Sequence, residues 1–273
     1  MKKKQLYLGS SIPKDIEEQK RKFVQEFYSE KFLEDIDKIK ERFNAQYKSM
    51  PKSAKEKSKE NFAIKFTYNT QRIEGSTLTL KETANLLENG ISPSSKPIRD
   101  AKEAEAHEKV FFEMLEHERN LNMQIILKWH KNIFNATKKD IAGKTRSHDV
   151  GIAQSKFIPP MHLELDMLLK EFFDWYAKNK NKIHPVELAA LVHLKFVTIH
   201  PFGDGNGRIS RLIMNFILKD NKFPLLDIPY IKRASYYNAL ERSQINKDEN
   251  IFIQWFFRRY LAEYKKYLKY TKP

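Results

Sequence analysis

The stretch HPFGDGNGR, His200–Arg208, concentrates chemically active side chains in a chain that is otherwise rich in lysine and poor in glycine. It carries three of the eight glycines of the 273-residue chain, at positions 203, 205 and 207. Glycines permit backbone conformations in which successive amides face a common point. Next to a helix start, such amides form a nest that attracts anions. The stretch therefore predicts an anion-binding loop.

The polar side chains around these glycines complete a phosphate-binding set. His200 titrates near neutral pH, which makes it the candidate general base. Asp204 is a hard oxygen ligand, suited to hold Mg²⁺ together with substrate phosphates. Arg208 and Arg211 lie three residues apart on the next predicted helix and can clamp phosphate oxygens. This combination predicts phosphoryl or nucleotidyl transfer to a hydroxyl group.

The spacing of apolar residues predicts helices on both sides of the loop and along nearly the whole chain. The helix before the loop spans residues 185–199 and ends before Pro201, because the residue preceding a proline avoids helical geometry. The helix after it begins at about Arg208. Thr79–Glu82 carries the capping-box signature of another helix start. Further helices are predicted at residues 16–47, up to 74, 97–117, 122–135, 163–178, 235–243 and 249–269.

Residues 140–160 are the one segment that breaks the helical rhythm, and they predict a short β-hairpin. The predicted fold class is therefore all-α with one small hairpin.

Composition limits the functional classes. No apolar run approaches the ~18 residues of a membrane span, and the absence of cysteine excludes disulfides and thiolate metal sites. The first fifteen residues lack the apolar core of a signal peptide, so we expect a cytoplasmic protein without membrane association. The net charge of +15 attracts polyanions. Its lysines are spread along the chain, which is typical of a solvated basic surface.

The segment HPFGDGNGRISR, His200–Arg211, is similar to the signature of Fic-domain proteins at every defined position. The resemblance implies a Fic fold and a protein adenylyltransferase (AMPylase), a nucleotidyltransferase that moves AMP from ATP to a Ser, Thr or Tyr hydroxyl of a target protein. It implies that His200 deprotonates the hydroxyl and that Asp204 holds Mg²⁺. The phosphates would be bound by Gly205, Asn206, Gly207, Arg208 and Arg211.

Two further segments resemble parts of the same family. Residues 143–160 resemble its flap, a hairpin that aligns the target backbone beside the nucleotide, with Ala153 and Gln154 as the expected nucleotide contacts. Residues 233–240 resemble the segment near the adenine, with Tyr236 as the expected contact. Gln244 stands on the purine side, where the family often has an asparagine. From the residues alone, Tyr236 is equally consistent with helix packing.

The segment TQRIEG, Thr70–Gly75, resembles the family's inhibitory helix motif. Thr70 and Glu74 share one helix face, which is also expected of a solvated helix end. The resemblance implies that Glu74 pairs with Arg211 and places a carboxylate where the γ-phosphate should lie. Transfer to targets, and to the protein itself, would then be autoinhibited. Because this motif lies upstream of the signature, the resemblance divides the chain into an N-terminal helical region, residues 1–115, and a Fic catalytic domain, residues 116–273.

Two alternatives stay open. Within the fold, the protein would remove AMP from a modified protein or transfer another phosphate-linked group. In a different class, it would be a nucleic-acid-binding regulator, for which the best basic stretch is residues 48–65. That stretch is interrupted by glutamates and contains no arginine, so nucleic acid is the weaker candidate partner. The first 50 residues are candidates for homodimerisation or target binding.

Overall fold

The structure, a computed structural model, describes residues 5, 7, 11–118 and 120–269, without the side chains of residues 21 and 24–29. The expectation for the first fifteen residues therefore lies largely outside the described residues. The helices run as follows: α1 Ile16–Ser49, α2 Lys52–Ile73, α3 Leu80–Asn89, α4 Ile98–Glu116, α5 Met123–Phe134, α6 Leu165–Asn179, α7 Pro185–Ile199, α8 Asn206–Asp220, α9 Arg233–Asn246 and α10 Glu249–Glu263. Short 3₁₀ turns occupy His162–Glu164, Tyr230–Lys232 and Lys265–Tyr267.

Local signals in the sequence set several of these boundaries. The capping box is confirmed at α3, where the Glu82 amide donates to the Thr79 hydroxyl and the Thr79 amide donates to the Glu82 carboxylate. Helix α7 spans the predicted residues 185–199. Helix α8 begins two residues before its predicted start, because Gly205, with φ of 84°, already turns the chain into the helix. Helix α10 ends at Glu263, and part of the predicted remainder takes the tighter 3₁₀ form.

The hydrophobic core is centred on α7 and α8, which pack against each other along their length. Helix α7 is buried on nearly all sides, as its almost uninterrupted apolar sequence requires. The core extends without interruption from Phe66 on α2 and Phe111 on α4 to Trp129 on α5. It therefore crosses the predicted division at residues 115 and 116, which stays a prediction about sequence organisation. Among the described helices, none combines the length and apolarity that crossing a bilayer requires.

The all-α fold class is confirmed, but the predicted hairpin is wrong. Every residue from 140 to 160 is described, and none of them lies in a β-strand. One buried guanidinium holds this segment instead of a ladder of backbone hydrogen bonds. Arg146 donates to the carbonyls of His200 at 2.9 Å, His148 at 3.1 Å and Pro160 at 2.5 Å. The two ends of the segment are thereby tied to each other and to the end of α7.

Candidate active site

The loop between α7 and α8 is locked from within. The Asn206 side chain accepts from the Phe202 amide at 2.9 Å and donates to the Phe202 carbonyl at 2.8 Å. Phe202 is fully buried and stacks on His130, with ring centroids 3.9 Å apart. Asn206 is predicted to bind phosphates, but its side-chain amide is hydrogen-bonded within the loop. Its backbone amide belongs to the first turn of α8.

His130 is a site residue that sequence analysis missed. Its Nδ1 accepts from the Gly143 amide at 2.9 Å, so its Nε2 carries the hydrogen and donates to the Asp204 carbonyl at 3.0 Å. Burial, the main cause, lowers the pKa of His130 to about 4, so the ring stays neutral. Its position on the buried face of α5 is the only sequence signal it carries. His130 thus fixes the carbonyl that precedes Gly205.

His200 lies at the end of α7 with its ring held in one orientation. Its Nδ1 lies 3.1 Å from the Val197 carbonyl oxygen and donates to it, which leaves the Nε2 lone pair free. Burial is the largest influence on its pKa and lowers it below the ordinary value of 6.5. The imidazole is therefore neutral at pH 7, as a general base must be.

Asp204 and Arg208 belong to a closed ring of alternating charges. Asp204 Oδ1 accepts from Arg208 Nη2 at 2.9 Å, and Asp204 Oδ2 pairs with Lys138. Arg208 pairs in turn with Glu103 on α4, and Glu103 Oε1 lies 3.6 Å from Lys138 Nζ. Burial alone would raise the pKa of Asp204, but Arg208 and Lys138 outweigh it and lower that pKa. The predicted metal ligand is thus an ionised carboxylate held by two cations.

Arg211 lies deeper, with 1% of its surface exposed. Its Nη2 is 2.6 Å from Glu74 Oε1, and its Nε donates to the Thr70 hydroxyl at 2.5 Å. Its Nη1 donates to the Tyr236 hydroxyl at 3.3 Å. The two residues of the Thr70–Gly75 segment that share a helix face therefore meet the same guanidinium.

Of the four other residues predicted to contact the nucleotide, Tyr236 is hydrogen-bonded to Arg211, and Gln244 lines a separate cavity. Tyr236 is 1% exposed and its hydroxyl contacts His193 Nε2 at 2.9 Å, which places it beneath Arg211. Gln244 donates to the Thr198 hydroxyl at 3.1 Å and lines a cavity of about 780 Å³ between α6, α7 and α9. Ala153 and Gln154 are exposed on the 140–160 segment. Contacts of these four residues with a nucleotide stay predictions.

The ring of charges formed by Asp204, Arg208, Glu103 and Lys138 borders a second cavity of about 200 Å³. Its walls include Glu74, Glu103, Lys138, Asp204 and Arg208. Among the described residues, no group of three His, Asp or Glu side chains is arranged to hold a metal ion. Asp204 is thus a single carboxylate donor, which fits a Mg²⁺ only if substrate phosphates supply further oxygens.

Comparison with known proteins agrees with this geometry. Residues 120–218 match the model of the Fic/DOC family. The protein adenylyltransferase Fic of Drosophila ananassae is 31% identical over 216 residues, which are 78% of this chain and 43% of that protein. The chain thus spans less than half the length of this curated relative.

Solved structures extend the agreement to the fold. Fic-1 of C. elegans superposes with a TM-score of 0.76 at 26% identity, covering 89% of this chain and 72% of that one. A Fic domain containing signaling protein of Bacteroides thetaiotaomicron superposes with a TM-score of 0.74 at 27% identity, covering 85% and 96%. With the signature loop, the helical fold and these relatives in agreement, the chain belongs to the Fic/DOC family.

Proposed function

We propose that the protein is a protein adenylyltransferase that transfers AMP from ATP to a hydroxyl side chain of a target protein. The observation that carries the proposal is the meeting of a neutral histidine, an ionised aspartate and two arginines at the N-terminus of α8. The similarity to a relative named protein adenylyltransferase supports the same reaction. The target hydroxyl oxygen attacks the α-phosphorus, its proton passes to His200 Nε2, and pyrophosphate leaves.

The remaining groups bind the nucleotide. The first-turn amides of α8 and the guanidinium groups of Arg208 and Arg211 face the place where phosphates would lie. Asp204 would hold Mg²⁺, which neutralises charge on the phosphates when bound. The cavity of about 780 Å³ beside Gln244 has room for the base.

We further propose that Glu74 inhibits this reaction. Its carboxylate pairs with Arg211 at 2.6 Å and lies against the first turn of α8. A carboxylate there competes with a phosphate for the same guanidinium and the same amides. Displacement of Glu74 would expose Arg211 without leaving it uncompensated, because the phosphate replaces the lost charge.

Removal of AMP from a modified protein is the competing activity, since the Glu74 carboxylate would be close enough to the site to orient a water molecule. Incubation with purified AMP-modified target separates the two. AMP release that requires Glu74 would favour removal, whereas modification that increases without Glu74 favours transfer.

The test of the proposal compares wild type, Glu74→Gly and Glu74→Gly/His200→Ala after incubation with Mg²⁺ and labelled ATP, UTP, GTP or CTP. Intact mass measurement identifies the group transferred to the protein itself. We expect AMP on the Glu74→Gly variant, much less on wild type and none on the double variant. Glu118→Gly, which removes an exposed glutamate outside a helix, is the matched control and should behave as wild type. Equal modification of wild type and Glu74→Gly would contradict autoinhibition.

A further inference from the structure

One cation in the charged ring has no role in the proposed reaction. Lys138 follows α5 in the sequence FNATKKD, and nothing in that sequence distinguishes it from its neighbour Lys139. In the structure, Lys139 is exposed, whereas Lys138 Nζ reaches Asp204 Oδ2 and lies 3.6 Å from Glu103 Oε1. Lys138 therefore forms an ion pair with Asp204, the carboxylate that is predicted to bind the metal.

We propose that Lys138 is a further residue of the nucleotide site, a built-in cation that holds Asp204 in the free protein and exchanges with Mg²⁺ when the metal–nucleotide complex binds. The inference rests on the proposed function, because it needs Asp204 to be the metal ligand. It assigns Lys138 a positioning role, since Lys138 acts on the metal through Asp204.

The two oxygens of Asp204 are not equivalent. Oδ1 accepts from the Gly205 amide at 2.5 Å and from Arg208 Nη2 at 2.9 Å, so it is engaged by groups of α8 and its N-terminal cap. Oδ2 faces Lys138. A metal that binds Asp204 without dismantling the loop must therefore approach Oδ2 and displace Lys138.

The two cations around Asp204 also differ in mobility. Arg208 is 3% exposed, and its guanidinium is held by Glu103 and by Gln71 Oε1 at 3.2 Å. The Lys138 side chain is 26% exposed and ends in a compact ammonium on a flexible stem. Lys138 is therefore the cation that can leave.

The ring gives the departing ammonium a second partner. Glu103 Oε1 is fixed by a hydrogen bond from the Thr137 hydroxyl at 3.1 Å and already lies near Lys138 Nζ. Asp204 exchanges one cation for another, and Lys138 keeps Glu103 as its counter-ion beside the cavity of about 200 Å³. No buried charge loses its compensation during the exchange.

The exchange predicts that Lys138 weakens metal binding, because the metal must displace it. We would measure ATP binding by calorimetry at increasing Mg²⁺ concentrations, using the full chain with Glu74→Gly and His200→Ala so that bound ATP is not consumed. Adding Lys138→Met removes the charge and keeps an apolar stem of similar length. The Mg²⁺ concentration for half-maximal ATP binding should then fall about fivefold at low ionic strength. Lys139→Met, the matched control, should leave it unchanged.

A charge-preserving variant and a stability measurement complete the test. Lys138→Arg should stay within about twofold of the parent, since a cation still competes for Asp204. Thermal unfolding of each variant establishes that it is folded. An unchanged or increased Mg²⁺ requirement in Lys138→Met would overturn the inference while leaving the proposed function intact. Absence of ATP binding in the parent at every Mg²⁺ concentration would instead contradict the proposed function, and the inference would fall with it.

Discussion

A methyl group on Gly207 would stand 2.3 Å from Oε1 of Glu74, so the Glu74 carboxylate lies directly against the backbone of the first turn of α8. Glu74 directly follows α2, which ends at Ile73, and Gly207 is the second residue of α8, more than a hundred residues later. The approach is possible only because position 207 carries no side chain. Free amides at a helix start attract a carboxylate and a phosphate by the same electrostatics.

The first prediction is that Gly207→Ala weakens nucleotide binding when Glu74 is absent. The added methyl group would occupy the space through which a phosphate reaches the α8 amides, as it would for the carboxylate. In the Glu74→Gly background, ATP affinity measured by calorimetry should fall by at least about tenfold. Gly151→Ala adds a methyl group to open space and should leave affinity unchanged. Unaltered ATP binding by Gly207→Ala would remove the α8 amides from the phosphate site.

The second prediction separates a structural glycine from this functional one. Gly205 has φ of 84°, and a methyl group there would stand 2.4 Å from the Phe134 ring. Backbone strain and overlap with a buried ring should lower the free energy of unfolding by about 2–4 kcal/mol in Gly205→Ala, as measured by urea denaturation. Gly203→Ala meets only an ordinary contact, 3.6 Å from Ile141, and is the matched control. Equal stability of the two variants would contradict this reading of the loop.

The parts of the site that depend on residues close together in the sequence could be predicted from the sequence alone. The signature places His200, Asp204 and Arg208 in one loop because all of them are local to a single helix start. The bounds of α7 follow equally locally, from a proline at its first position and another just after its end. Features that depend on such local signals can be predicted from the sequence.

The side chains that form ion pairs with the loop could not be predicted from the sequence in this way. Glu103 and Lys138 meet Arg208 and Asp204 only through the packing of α4, α5 and α8, and neither belongs to a recognisable pattern. The hairpin prediction failed for a related reason. Arg146 holds residues 140–160 through scattered carbonyls, a long-range arrangement that periodicity does not encode.

The third prediction concerns the charge of His200. Burial, the largest influence, lowers its pKa below 6.5, while the nearby Glu74 carboxylate raises it. Removing the carboxylate should therefore lower the pKa further and extend the neutral, base-competent form to lower pH. An NMR titration of the His200 ring protons, assigned with His200→Ala, should give a midpoint below 6.5 in wild type and lower in Glu74→Gly. A midpoint that rises in Glu74→Gly would contradict the electrostatic coupling of the two residues.

The fourth prediction concerns Asp227, a buried carboxyl group in the segment that connects α8 to α9. Its Oδ2 accepts from Asn69 Nδ2 at 2.6 Å, and among the described residues its Oδ1 has no hydrogen-bond partner. Burial, the main cause, raises the pKa of Asp227 to about 7 from 3.8. Its contribution to stability is therefore complete below pH 3.8 and is lost as the pH rises through about 7, because the unfolded chain ionises more readily.

Asp227→Asn removes this titration and keeps an oxygen acceptor for Asn69. The free energy of unfolding of Asp227→Asn relative to wild type should increase by about 3–5 kcal/mol between pH 4 and pH 9, as followed by urea denaturation. The exposed Asp140→Asn provides the matched control for a change of carboxylate to amide at the surface. A pH-independent difference for Asp227→Asn would mean that Asp227 ionises at its ordinary pH in the folded protein. The Asn69 contact would then hold α2 equally firmly across this pH range.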